Sequence, residues 1–158
     1  MMEQFITWKF LHITFMFFAV ALAISGEIVV RRVAGSSDVR AIRVVVSRVK
    51  PLSGNVATVL FLGGLVFGIL AALAGQIDLL RPWLIAAYVA FGLAILIGAT
   101  VTDPWVSRLG TAAAASPDDA PTAELVEVID DPKARFARGL LMALIVILVF
   151  IMVVKPFG

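Results

Sequence analysis

The sequence predicts an all-α membrane protein: four transmembrane helices in an antiparallel bundle, plus a short basic amphipathic helix on the cytoplasmic side. Three observations predict it. First, 61% of the 158 residues are hydrophobic and only 15% are charged, where a soluble domain carries about a quarter charged residues. Second, four apolar stretches reach the length, about 20 residues, that a helix needs to cross roughly 30 Å of hydrocarbon. Third, the basic residues gather in two of the connections. The mean hydropathy of +1.05 makes a bilayer the natural solvent. A chain of this length counts as a single membrane domain, residues 1–158.

The spans are expected at about residues 5–30, 52–75, 82–102 and 137–157, with connections at 31–51 and 103–136. The first connection carries Arg31, Arg32, Arg40, Arg43, Arg48 and Lys50. Arg108, Lys133, Arg135 and Arg138 lie in or beside the second, and the opposite side holds only Lys9, Arg81 and Lys155. Ten basic residues against three place both long connections in the cytoplasm and both termini outside. The expected location is the cytoplasmic membrane. The "ALA" in span one resembles a signal-peptide cleavage site. A signal peptide, however, has its basic residues before the apolar run, and here they follow it, which favours a retained span.

Bilayer lipid gives helices no hydrophobic reason to associate, so small residues that permit close approach mark the contacts. Span two has Gly64, Gly68 and Ala72 at four-residue spacing, and span three has Ala90, Ala94 and Gly98. Only "QIDLLR" separates these spans, which predicts a tight hairpin with the two stripes as its seam. Span four, "LLMALIVILVFIMVV", is bulky and is expected at the periphery, largely in lipid.

In "GSSDVRAIRVVVSRVKP", Ser37 or Asp38 is a candidate helix cap. Val39, Ile42, Val45, Val46 and Val49 fall on one helical face and Arg40, Arg43, Ser47 and Lys50 on the other. Such a helix lies in the headgroup layer with Arg40, Arg43, Arg48 and Lys50 at the membrane surface. The run "VVV" leaves a strand as the alternative, and a plain topology anchor is the simplest role. The second connection, rich in Ala, Ser, Pro and Asp, reads first as a flexible linker. It then offers a short helix at "TAELVEVI" and a cap at Asp131 with Pro132 in the first turn of span four. Glu124, Glu127 and Asp131 share a face that is either solvated or set against the basic segment. Glu27 and Arg31, four apart, suggest a local ion pair.

Chemistry is sparsely represented. There is no cysteine and one histidine, so thiolate sites are excluded and a zinc centre or a histidine triad is disfavoured. The net charge of +2 does not point to nucleic acid. The histidine, His12, sits in span one a turn below Trp8 and Lys9, and ionisable groups in spans are candidates for function. The outer ends of the other spans bring Gln76, Asp78, Arg81, Trp83, Tyr88, Met152 and Lys155 to similar depth. Imidazole is the commonest haem ligand and methionine can be the second, so His12 with Met16 or Met152 is a candidate set for haem b. The plainer alternative is an interfacial histidine bonded to a carbonyl or headgroup, with no cofactor at all. The absence of further ionisable groups at mid-membrane depth disfavours a proton-coupled transporter.

The stretches "WKFLH", "RR", "KPLSGNVATVLFLGGLVFGILAALAG" and "RPWLIAAYVAFGLAILIG" resemble a bacterial family of four-span integral membrane proteins of unknown function, over the first two thirds of the chain. A more distant resemblance runs to the J-type protoporphyrinogen oxidases, whose first span carries "LH". That resemblance implies a haem-binding role for His12. It also implies a lysine in a later span, which spans two and three lack. Copper-resistance-type membrane proteins are similar in their histidine-bearing first helix, and the resemblance implies more His and Met ligands than this chain has. The function expected is that of a non-enzymatic accessory or assembly subunit that packs against other membrane subunits or itself. A haem- or porphyrin-binding redox protein is the alternative.

Overall fold

The computed structural model describes residues 2–36 and 38–156, and among them only helices form, with no strand. In order these are α1 (Met2–Ser36), α2 (Val39–Val44), a π-helical turn (Val45–Val49), α3 (Lys50–Ala74), α4 (Pro82–Ile97), a second π-helical turn (Gly98–Thr102), α5 (Asp103–Ala115), α6 (Ala123–Ile129) and α7 (Pro132–Val154). Four helical stretches are long and apolar enough to cross a membrane: Met2–Ser36, Val39–Ala74, Pro82–Ala115 and Ala123–Val154. The protein is a multi-pass membrane protein. The cap candidate Ser37 and the last residue of the expected fourth span, 157, lie outside the described residues.

The helix ends follow their local chemistry. Asp38 accepts the amide of Ala41 in front of α2, Thr122 that of Leu125 in front of α6, and Asp131 those of Lys133 and Ala134 in front of α7. Each carboxylate or hydroxyl satisfies donors that the first helical turn leaves unpaired. Pro82 and Pro132 stand in the first turns of α4 and α7, where a missing N–H is harmless. Gln76 and Lys155 adopt positive φ at the ends of α3 and α7, so the chain can leave each helix abruptly.

Three expectations about the connections change. The basic segment is not a separate surface helix: α2 runs through a π-turn directly into α3 as one stretch, Val39–Ala74. Its apolar face, Val39, Ile42 and Val45, is buried against protein instead of headgroups. Of the expected linker, the alanine-rich start at residues 111–115 belongs to helix α5, which continues from α4, while residues 116–122 form no helix. Together α2, α5, α6 and the first turn of α7 enclose a core of Ile42, Trp105, Leu109, Leu125 and Ala134, each about 1% exposed or less. Alanine made the linker reading attractive, yet Ala112 and Ala113 are small because Leu- and Val-bearing neighbours press against them.

The packing of the spans also differs from the expected seam. The most extensive contact joins α1 to α3 and the next joins α4 to α7. A methyl group on Gly75, Gly68, Gly64 or Gly63 would collide with Phe5, His12, Met16 or Phe15. The glycine stripe of α3 is therefore a row of holes that receives bulky knobs from α1, where the sequence pattern had paired it with α4. Ala72 and Ala90 are buried, while Ala94 and Gly98 border a cavity. Small residues allow close approach but do not name the partner; the large side chains of α1 do. The outward faces stay apolar and exposed, as in Phe10, Val59, Val89 and Val153, and these faces meet the bilayer.

Candidate functional site

Two helix pairs, α1 with α3 and α4 with α7, leave a cleft between them. Phe61 of α3 and Phe91 of α4 bridge it with ring centroids 6.0 Å apart. These two rings, with Leu148, border both of the cavities into which the cleft divides. One lies at the end where residues 5, 77, 83 and 155 come together, and has a volume of about 330 Å³. The other, of about 440 Å³, lies toward the long connections.

His12, Met16 and Met152 all line the first cavity, so the fold brings the candidate ligand set together. The reason is the glycine row: with no side chain at Gly68, the imidazole of His12 settles onto α3. There its Nδ1 stands 2.7 Å from the carbonyl oxygen of Gly64. A carbonyl only accepts, so Nδ1 carries the hydrogen, and in the neutral ring the lone pair resides on Nε2. A backbone carbonyl on Nδ1 is the arrangement by which histidine ligands are oriented. It is equally the carbonyl-bonded histidine of the plainer reading, so the bond fixes the tautomer without naming a ligand.

Trp83, Tyr88 and Lys155 from the expected outer set line the same cavity, and Lys9 joins them. Gln76, Asp78 and Arg81 are not part of its lining. Asp78 instead accepts the amide of Leu80 within the turn between α3 and α4. The ammonium of Lys155 rests 5.4 Å from the ring centre of Trp83, and that of Lys9 lies 5.7 Å from Phe5. Among the described residues no acidic side chain borders this cavity. Its chemistry is an apolar chamber with cationic and hydrogen-bonding groups at the rim.

At the other end, one expectation on charge, the Glu27–Arg31 pair, is corrected. Glu27 is bridged by Arg138 of α7, Oε1 to Nε 3.2 Å, and makes no bridge to Arg31 among the described residues. Arg138 is buried and lies over the ring of Trp105, 3.9 Å from its centre. The basic residues Arg40 and Arg43 do meet an acid of the second connection, but it is Asp118. Glu124 and Glu127 are exposed, and neither takes part in an ion pair among the described residues. Arg43 also donates to the carbonyls of Ala113 and Ser116, satisfying acceptors at the end of α5. The hydrogen bonds from Arg43 and then Arg40 hold the Asp118 carboxyl below the ordinary carboxylate range. Arg48 is exposed, whereas Lys50 borders the second cavity.

Sequence reasoning missed Trp105, Arg138 and Asp118. A tryptophan just ahead of the supposed linker was the available signal, since such a large ring is seldom left in water. Among the described residues no group of three or more His, Asp or Glu side chains converges as a metal site. The chain matches no protein-family model, no curated protein and no solved structure in the comparisons made.

Proposed function

We propose that this chain is a non-enzymatic binding module of the bacterial cytoplasmic membrane, an antiparallel four-helix bundle with both termini outside. Its outer cavity takes an amphipathic ligand with an anionic head, of which haem b is the case that uses His12 as a ligand. The observation that carries this reading is the grouping of His12, Met16, Met152, Lys9 and Lys155 around one apolar chamber, where the 2.7 Å bond from His12 Nδ1 to Gly64 orients the ring. The excess of basic residues in the two long connections supports the orientation.

The residues present fit such a group in their chemistry. His12 offers one nitrogen, Met16 and Met152 line the same chamber as candidate second ligands, and Lys9 and Lys155 suit carboxylates such as propionates. At about 330 Å³ the chamber is at the low end for small-molecule sites, which span about 300–1,000 Å³, so a full macrocycle requires the helix pairs to part further. A bound haem would supply one-electron redox chemistry. The protein's own part is to orient the imidazole, exclude water with Phe61, Leu84 and Phe91, and neutralise the anionic edge with its two lysines.

A second reading, an accessory or assembly subunit that packs against other membrane subunits or a second copy, is favoured by α1. There Phe17 and Phe18 are both more than half exposed and form an edge-to-face pair at 5.5 Å.

The visible spectrum of protein purified in mild detergent with haem supplied tests the first reading. A Soret band is expected, and His12→Ala should abolish it while leaving the helical content unchanged. A colourless protein ends the haem assignment. Co-migration with larger membrane subunits in the same detergent then decides for the second reading.

A further inference from the structure

The cavity toward the long connections has a second, different chemistry. Most of its wall is apolar, with Leu22, Phe61, Phe91, Ile145 and Leu148 around a chamber of about 440 Å³. Its charged end holds Glu27, Lys50, Asp103 and Arg138. Arg138 is 91% buried, since its exposure is 9%. Its Nε forms an ion pair with Glu27 and its guanidinium carbon lies over the ring of Trp105, yet its Nη1 is buried with no hydrogen-bond partner among the described residues.

An unmet guanidinium N–H in such a place is expensive, because a charged donor loses its water and gains nothing. The charges at this end are not balanced where they matter. Glu27 is already taken up by Arg138, and Asp103 is exposed at the start of α5. Lys50 makes no ion pair among the described residues. The two acids and two bases cancel in sum; what lacks a hydrogen-bond or ion-pair partner among the described residues is Arg138 Nη1 and the Lys50 ammonium, and both adjoin an apolar chamber that opens between helices.

We infer that this cavity holds a phospholipid, its phosphate bound to Arg138 and Lys50 and an acyl chain lying against Phe61, Phe91 and Leu148. Guanidinium groups bind phosphate strongly because their N–H fork matches its oxygens. Basic pockets between membrane helices on the side of the basic connections are where lipid head groups are captured. The chamber gives the chain a place to lie and the buried arginine gives the head a reason to stay. This site shares Phe61, Phe91 and Leu148 with the His12 cavity as a common wall, while its charged groups, Arg138 and Lys50, border only this cavity.

The test is native mass spectrometry of delipidated, detergent-solubilised protein titrated with phosphatidylglycerol, with dioleoylglycerol and inorganic phosphate as separate arms. One phosphatidylglycerol per chain is expected to be retained, with dioleoylglycerol not retained and millimolar phosphate unable to displace the lipid. Arg138→Gln should weaken retention roughly ten- to a hundredfold, the effect of losing a charged hydrogen bond. Lys50→Gln at the rim and Ala94→Phe in the chamber keep the test decisive if Arg138→Gln fails to fold; both should weaken retention several-fold. Equal retention of dioleoylglycerol, displacement by phosphate alone, no retained lipid in the wild type, or unchanged retention in Lys50→Gln and Ala94→Phe would each overturn the assignment.

Discussion

The guanidinium of Arg138 lies over the indole of Trp105, 3.9 Å from the ring centre. One residue belongs to the start of the last span and the other to α5, so this contact ties the membrane bundle to the helical cap formed by the connections. The indole N–H of Trp105 donates to the carbonyl of Val128 at 2.8 Å, which adds α6 to the same junction. Trp105 is 1% exposed.

Truncation of that ring should therefore be severe. Trp105→Ala is expected to destabilise the protein by about 3–5 kcal/mol through lost burial, and Trp105→Phe by about 0.5–1.5 kcal/mol through the lost indole hydrogen bond, since the Val128 carbonyl keeps the Asp131 amide. Unfolding in mixed micelles measures both, and a loss below 1 kcal/mol for the alanine variant would contradict the junction.

The glycine row makes a contrasting pair of predictions. A methyl group at Gly68 would sit 2.8 Å from His12 Nδ1, whereas one at Gly92 meets nothing within 4 Å. Gly68→Ala should cost about 1–3 kcal/mol and displace the imidazole from Gly64. Gly92→Ala should be neutral or stabilising by up to about 1 kcal/mol, since alanine is the better helix former. Equal effects at the two positions would show that α1 does not pack on α3 as described.

At the start of α7, Asp131 Oδ1 accepts the amides of Lys133 and Ala134 while Oδ2 pairs with Arg108 at 2.6 Å. Asp131→Ala removes the cap and the pair, with an expected loss of about 1–2 kcal/mol. Asp131→Asn retains an oxygen for the cap and should recover part of that loss. Thermal denaturation of the two variants beside the wild type checks the order.

The tie between α2 and Asp118 should respond to acid. Its carboxyl is held below the ordinary value of 3.8 by Arg43 and Arg40, so the folded form prefers the charged state. The stabilisation is then present at neutral pH and above the unfolded value, and it is lost as pH falls through the lowered folded value. Amide exchange of residues 113–122 should be slow at pH 7 and rise relative to the bundle below about pH 4. Asp118→Asn should show the faster exchange already at pH 7.

How much of this was legible depended on the range of the interaction. Asp38, Asp131 with Pro132, and the short helix at 123–129 were readable because a cap acts within three or four residues. The expected pair of Glu27 with Arg31 assumed the same short range, because the two stand four residues apart. Nothing local tells Glu27 that an arginine 111 positions later will be brought to it. His12 stood out as an ionisable group in an apolar run, and its company of Met16 and Met152 was a matter of depth. The bond to Gly64, which determines which nitrogen is open, required the packing of α1 on α3.

The amino-acid order alone determined that this is a four-span helical protein, because length and apolar character decide whether a segment leaves water, and both are local sums. The tertiary structure decided which helices embrace, that the alanine-rich connection is a folded cap, and that Arg138 is buried with one nitrogen unmet. Those outcomes depend on shape complementarity between distant side chains, with Phe15, Met16 and His12 finding the holes left by glycines, and a composition that is apolar throughout carries no record of that match.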